Sequence, residues 1–222
     1  ILHRTFKNIE PKLNGYLDDY AYMANASVDM FENTSEPKYL LFATNLAHYM
    51  IEHFWDSASD GFFFTADNHE KLIIRPKTNY DLSMPSGNSV AAHMLLRLYH
   101  ITQNKQFLET TKKIIESQAI TAAENPFAFG YLLNVLYLYY QNPTEITILN
   151  NKDYELISLL RKKFLPESIM VLVENKKDLT ALSKYPFFSG KEFQSDKTRV
   201  FVCKNFTCSL PLSSLSEIEK EL

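Results

Sequence analysis

Leu17-Asp18-Asp19-Tyr20-Ala21-Tyr22-Met23-Ala24-Asn25-Ala26-Ser27-Val28-Asp29-Met30-Phe31 places Leu17, Tyr20, Ala21, Ala24, Val28 and Phe31 on one face of a 3.6-residue repeat. The stretch follows Asn14-Gly15 and reads as an amphipathic helix. The pattern repeats along the chain. After Glu36-Pro37, with proline in a first turn, Tyr39, Ala43, Leu46, Ala47, Met50 and Phe54 form a second stripe. The short link Asn33-Thr34-Ser35 predicts an antiparallel helical hairpin. A third helix is expected over 88–101 on Ala91, Met94, Leu95 and Leu98, and a fourth over 105–122 on Leu108, Thr111, Ile115 and Ala119. The fifth, over 126–140, has hardly any polar face, which predicts burial all round.

Between the two hairpins, residues 56–87 form a long connection. Gly61-Phe62-Phe63-Phe64-Thr65 and Leu72-Ile73-Ile74-Arg75 flank Asp67-Asn68-His69-Glu70 and predict a β-hairpin near 61–75. Long loops in helical arrays are more often functional than idle. Beyond Asn142-Pro143 the period changes. Strands are expected over 145–149 and 169–173 with a helix over 153–164 between them, a β-α-β unit with parallel strands, joined by a third strand over 199–203. The expected fold class is mainly α: helices over 1–142 and a small α/β unit over 143–222. The first strand-to-helix turn, Asn150-Asn151-Lys152-Asp153, has no glycine for a pyrophosphate, so no dinucleotide cofactor is expected.

The 222 residues carry 23 Lys and Arg against 26 Asp and Glu, a net charge of -3 without a long block of one sign. Nucleic acid is not an expected partner. No stretch reaches the roughly 20 apolar residues of a bilayer span, so a cytoplasmic protein without a membrane partner is expected. Five glycines against 16 Phe and 13 Tyr favour packed helices over glycine-rich turns. The opening Ile1-Leu2-His3-Arg4 reads as the interior of a longer polypeptide.

Three groups of residues can carry chemistry. Asp18 and Asp19 open the first helix beside Tyr20, and a carboxyl desolvated in a cavity serves as acid or base. The plainer reading is that they complement the helix dipole. Arg75, Lys77 and Asp81 run into Met84-Pro85-Ser86-Gly87-Asn88-Ser89 at the start of the third helix. There free N–H groups, a close-approach glycine and a basic pair suit a small polar ligand, or else form an ordinary cap. Cys203 and Cys208 are candidates for a redox pair. They supply only two metal ligands, no His-Glu-x-x-His occurs, and no metal is expected. Bonding between them requires a turn over 204–207, and reduced thiols are expected in a cytoplasmic protein.

Leu17-Asp18-Asp19-Tyr20-Ala21, Phe54-Trp55-Asp56, Gly61-Phe62-Phe63-Phe64-Thr65, Arg75-Pro76-Lys77, Asp81, Pro85-Ser86-Gly87-Asn88-Ser89-Val90-Ala91 and Cys203-Lys204-Asn205-Phe206-Thr207-Cys208 stand in one order along the chain. In this the chain resembles the C-terminal third of the spermatogenesis-associated-protein-20/YyaL-like family. The resemblance implies part of an (α/α)6 toroid like those of six-hairpin glycosidases and N-acylglucosamine 2-epimerases, in a protein that also carries a thioredoxin-like domain. On that reading the first, third and fifth helices line the ring. Asp18 and Asp19 would be catalytic, and Tyr20, Arg75, Asp81, Ser86, Gly87 and Asn88 would bind substrate. The implied function is carbohydrate binding or processing, as an epimerase, isomerase or glycosidase-like enzyme. The alternative is a non-catalytic helical scaffold for a thioredoxin-like redox domain or another protein. Two hairpins and one helix do not close a six-hairpin ring, so the N-terminal part of the same protein or a second copy is the expected partner.

Overall fold

Residues 3–14 form a hairpin that the sequence did not announce: β1 (His3–Lys7) pairs antiparallel with β2 (Glu10–Asn14). Both strands are exposed along their length, so no alternation marks them, and the turn puts Asn8 and the β-branched Ile9 at positive φ. The helices then follow as expected. α1 (Leu17–Thr34) and α2 (Pro37–His53) are linked through Ser35 and Glu36. α3 (Gly87–Thr102) and α4 (Lys105–Glu124) are linked through Gln103 and Asn104, whose side chain caps the Gln106 N–H. α5 (Gly130–Gln141) follows a 3-10 turn over Pro126–Phe129. The structure is a computed structural model and describes residues 1–70 and 73–222. Among these it is about half helical, with small sheets, and so mainly α.

The stripe of α1 is buried as its spacing requires. All-round burial, in contrast, belongs to a different helix from the one expected. α5 buries Leu132, Val135 and Leu138 on one face but leaves Tyr137 and Tyr140 exposed, and Phe127 in the preceding turn is 97% exposed. The helix buried on nearly every side is α3. Its Ser89, Ala91 and Ala92 are as enclosed as Met94, Leu95 and Leu98. Small and hydroxylated side chains allow other elements to pack closely, and they conceal that burial from a count of large apolar residues.

The hairpin expected near 61–75 is not what organises the long connection. Part of it, residues 71–72, lies outside the described residues. On the rest, Phe62 makes a single antiparallel bridge with Trp55. The Phe63 N–H donates to the Phe54 carbonyl, the Phe64 N–H to the Pro76 carbonyl and the Leu17 N–H to the Phe64 carbonyl. The described part of the segment is thus laid down in irregular, individually hydrogen-bonded pieces.

After α5 come β3 (Thr144–Leu149), α6 (Tyr154–Lys162), β4 (Ser168–Val173), α7 (Lys176–Leu182), β5 (Arg199–Lys204), β6 (Thr207–Cys208) and α8 (Leu215–Glu221). β3 pairs parallel with β4 and antiparallel with β5, and β5 continues into β6, in the order β4-β3-β5-β6. One face of the sheet packs Ile146, Ile148, Leu172, Val200 and Val202 against Leu156, Ile157 and Leu160 of α6 and Ile218 of α8. α6 is capped by Asp153, and α8 opens with a capping box between Ser214 and Glu217.

By internal contacts the chain forms two compact units. The first is Ile1–Val28, Leu41–Tyr99 and Asn104–Leu136; the second is Asp29–Leu40, His100–Gln103 and Tyr137–Leu222. Among the described residues no helix is long and apolar enough to cross a membrane.

Candidate functional site

In the first unit a cleft of about 690 Å³ is bounded by Arg4 of β1, Asp18, Asp19, Tyr22 and Met23 of α1, and Met84 before α3. The first turn of α1 carries two adjacent carboxylates, and the fold gives them different tasks. Asp19 Oδ2 accepts the Tyr16 N–H at 2.8 Å, satisfying one of the N–H groups a helix start leaves free, and lies 3.8 Å from Arg4. Asp18 accepts the Gly87 N–H at the start of α3. Burial above all, and then the Asp19 charge, raise the Asp18 carboxyl above its ordinary range, with Arg4 and the Gly87 bond opposing. Tyr22 donates its hydroxyl to the Pro85 carbonyl at 2.9 Å, and burial, then Asp18 and Asp81, push its phenol up. A carboxyl raised in this way holds its proton to higher pH than an ordinary aspartate does.

The remaining sequence-derived candidates are engaged inside the protein. Tyr20 is buried, accepts the Leu2 N–H at 2.8 Å and stacks on Tyr49, and burial pushes its phenol up to about 12. Arg75 donates to the carbonyls of His53 and Thr65 and lies over the Phe63 ring. Asp81 accepts the Ser86 N–H with one oxygen and the Tyr131 and Leu132 N–H groups at the start of α5 with the other. The Ser86 hydroxyl pairs with Ser89 and accepts its N–H. Asn88, fully buried, takes both backbone groups of Phe62 and also reaches the Thr78 carbonyl. Gly87 touches Asp18 directly.

These bonds tie the 54–86 segment to the starts of α3 and α5. Lys77 completes the tie through Asp56 at 2.6 Å, Ser59 and the Asp60 carbonyl, and its ammonium holds the Asp56 carboxyl well below the usual range. Sequence reasoning missed Arg4 and Tyr22 as cleft residues. Tyr22 lies four positions from Asp18, on the same helix face, and that spacing was the available signal.

No family model matches the chain. Among curated proteins it is 26% identical to human spermatogenesis-associated protein 20 and 27% identical to the rat protein, in each case over 98% of this chain. An uncharacterized protein of Caenorhabditis elegans is 25% identical over 94% of it. Over nearly its whole length the chain is thus similar to a portion of spermatogenesis-associated protein 20. It spans 28% of the length of these relatives.

The second unit holds a correction. Cys203 and Cys208 are joined by a disulfide, where reduced thiols were expected. The turn that such a bond requires is present: Asn205 and Phe206, both at positive φ, connect β5 to β6 and set the two cysteines opposite each other.

Proposed function

We propose that the chain contributes to a carbohydrate-binding or carbohydrate-processing α/α toroid, with Asp18 as proton donor at the cleft. Asp19 and Arg4 form the charged rim beside it, and Tyr22, Met23 and Met84 supply the surface against which a sugar ring stacks. The observation that carries this reading is the Asp18 carboxyl, raised by burial yet open to a cleft of sugar-binding size. The succession of helical hairpins and the motif order support it. The aromatic side chains that α5 and its preceding turn leave exposed would be the surface for the other helices of the ring, from the rest of the protein or a second copy.

A non-catalytic scaffold is the second reading, and one observation favours it: Asp81, Ser86 and Asn88 spend their polar groups on internal bonds, and Arg75 donates to two backbone carbonyls. A thermal-shift screen against monosaccharides and disaccharides separates the two. The first reading expects a sugar-dependent rise in melting temperature that Asp18→Asn removes while the variant still melts cooperatively. No shift with any sugar favours the scaffold, and an unchanged shift in Asp18→Asn would place sugar binding away from Asp18 and remove it as the proton donor.

A further inference from the structure

The disulfide of the second unit sits among groups that a structural crosslink does not need. Cys203 is 1% exposed, whereas Cys208 is exposed on β6, the edge strand of the sheet. The two-residue period of β5 turns Val200 and Val202 into the α6 core and sets Phe201 and Cys203 on the opposite face. On that face lies Lys191. Its Nζ is 3.6 Å from Cys208 Sγ and 2.5 Å from the Phe187 carbonyl, with the rings of Phe187 and Phe201 at 5.7 and 5.8 Å. Behind it, Glu145 is the ladder partner of Cys203 and lies 3.1 Å from His100 Nδ1, and the His100 ring stacks on Phe206 of the turn.

We propose that Cys203–Cys208 is a thiol–disulfide exchange site for a dithiol, in which the exposed Cys208 sulfur is attacked and Lys191 stabilises the thiolate it becomes. One thiolate of the dithiol attacks Cys208 Sγ. An intermolecular disulfide forms as the Cys203–Cys208 bond breaks, and Cys203 leaves with the electron pair and takes a proton from solvent. The second sulfur of the dithiol, as a thiolate, then attacks the first. The dithiol becomes a disulfide and Cys208 is expelled as a thiolate against the Lys191 ammonium. The dithiol gives up two electrons and two thiol protons. The protein takes both electrons and one proton on Cys203, and the other proton goes to solvent while the Lys191 ammonium keeps its own.

The division of roles follows from the surroundings. A buried thiol away from a cation holds its proton, whereas a thiol beside an ammonium releases it more readily. Burial pushes the Lys191 ammonium down to about 8, with Glu145 pulling it back up, so it still carries its proton at neutral pH and a thiolate at Cys208 would hold that proton to higher pH.

The test uses the 222-residue chain and dithiothreitol as the dithiol. In Cys203→Ser the remaining Cys208 thiol, followed by its ultraviolet thiolate absorbance, should titrate about one unit or more below the ~8.5 of a free cysteine. Adding Lys191→Met should return it to that value, and adding Lys191→Arg should not. In the otherwise unaltered chain, dithiothreitol should reduce the disulfide without denaturant, and limiting iodoacetamide should then label Cys208 before Cys203. A Cys208 thiol titrating at or above ~8.5 with Lys191 in place, first labelling at Cys203, or a disulfide inert until the chain unfolds would each overturn the proposal. The Cys203→Ser titration decides even if the Lys191→Met variant fails to fold.

Discussion

Asp18 and Gly87 meet with no room between them: a Cβ added at Gly87 would lie 2.4 Å from Asp18 Oδ1 and 2.9 Å from Leu17 Cγ. The Gly87 N–H also donates to the Asp18 carboxylate, so the absence of a side chain here allows the start of α3 to hold the acid of the cleft. Gly87→Ala should therefore destabilise the chain by about 1–3 kcal/mol, the usual cost of overpacking. It should also let the carboxyl swing toward water and titrate closer to an ordinary aspartate. Urea denaturation together with a carboxyl NMR titration checks both. A variant as stable as the parent, with Asp18 titrating unchanged, would mean that this contact is loose.

Asp18→Asn should not cost stability at neutral pH. Burial and Asp19 disfavour the charged carboxylate, and an amide oxygen can still accept the Gly87 N–H. Because the folded carboxyl holds its proton to higher pH than the unfolded one, ionisation costs stability as pH rises through the folded value, and the cost persists above it. The melting temperature of Asp18→Asn should equal or exceed that of the parent at pH 7, and the difference should vanish at low pH, where both forms are neutral. A variant less stable at pH 7 than at pH 3, relative to the parent, would contradict the raised carboxyl.

Asn88 was legible as a residue of interest but not in its role. Its side chain copies a strand edge, accepting the Phe62 N–H at 2.7 Å and donating to the Phe62 carbonyl at 3.0 Å. Asn88→Asp keeps the size and the acceptor but removes the donor, leaving a buried carboxylate against the Phe62 and Thr78 carbonyls. The loss should be about 2–4 kcal/mol, because a buried polar group left without its partner costs about 1–3 kcal/mol and a charge costs more. Hydrogen exchange should report faster opening at Phe62 and Phe63 before α4 is affected. Uniform destabilisation with no local opening would mean that Asn88 serves the helix and not the loop.

The fold was readable wherever a period was strong. The α1 stripe emerges near its expected bounds because large apolar side chains on a fixed repeat have one way to be buried, and the short apolar runs of the β-α-β unit emerge near theirs. What the period does not encode is which helix is enclosed on every side. α3 is enclosed by virtue of small residues, while the aromatic side chains of α5 remain on the surface. The site was readable only as a set of residue types. Asp81 and Asn88 look like ligand-binding groups in sequence, yet three backbone N–H groups claim the first and the Phe62 backbone claims the second. Polar residues at helix starts have backbone demands to satisfy, and spacing alone does not distinguish those demands from a ligand's. Lys191, 12 positions before Cys203, carries no local motif, and only the fold places it beside the disulfide.

His93 supplies a prediction with a defined pH window. Its Nδ1 lies 2.8 Å from the Tyr131 hydroxyl, and burial first, then the Arg97 charge, push the imidazole down to about 3. An unfolded histidine takes up its proton near 6.5, so between about pH 6.5 and 3 the unfolded chain binds more protons at this position than the folded one. Stability from this group is therefore fully present above about 6.5 and is lost as pH falls, at about 1.4 kcal/mol per pH unit. Between pH 6.5 and 5 the parent should lose about 2 kcal/mol through His93 alone. His93→Gln, which still reaches the Tyr131 hydroxyl with a neutral amide, should lose correspondingly less over the same interval. Urea midpoints of the two proteins at pH 7, 6 and 5 make the comparison. Parallel curves would show that the imidazole takes up its proton in the folded chain as it does in the unfolded one, and that its surroundings do not hold it neutral.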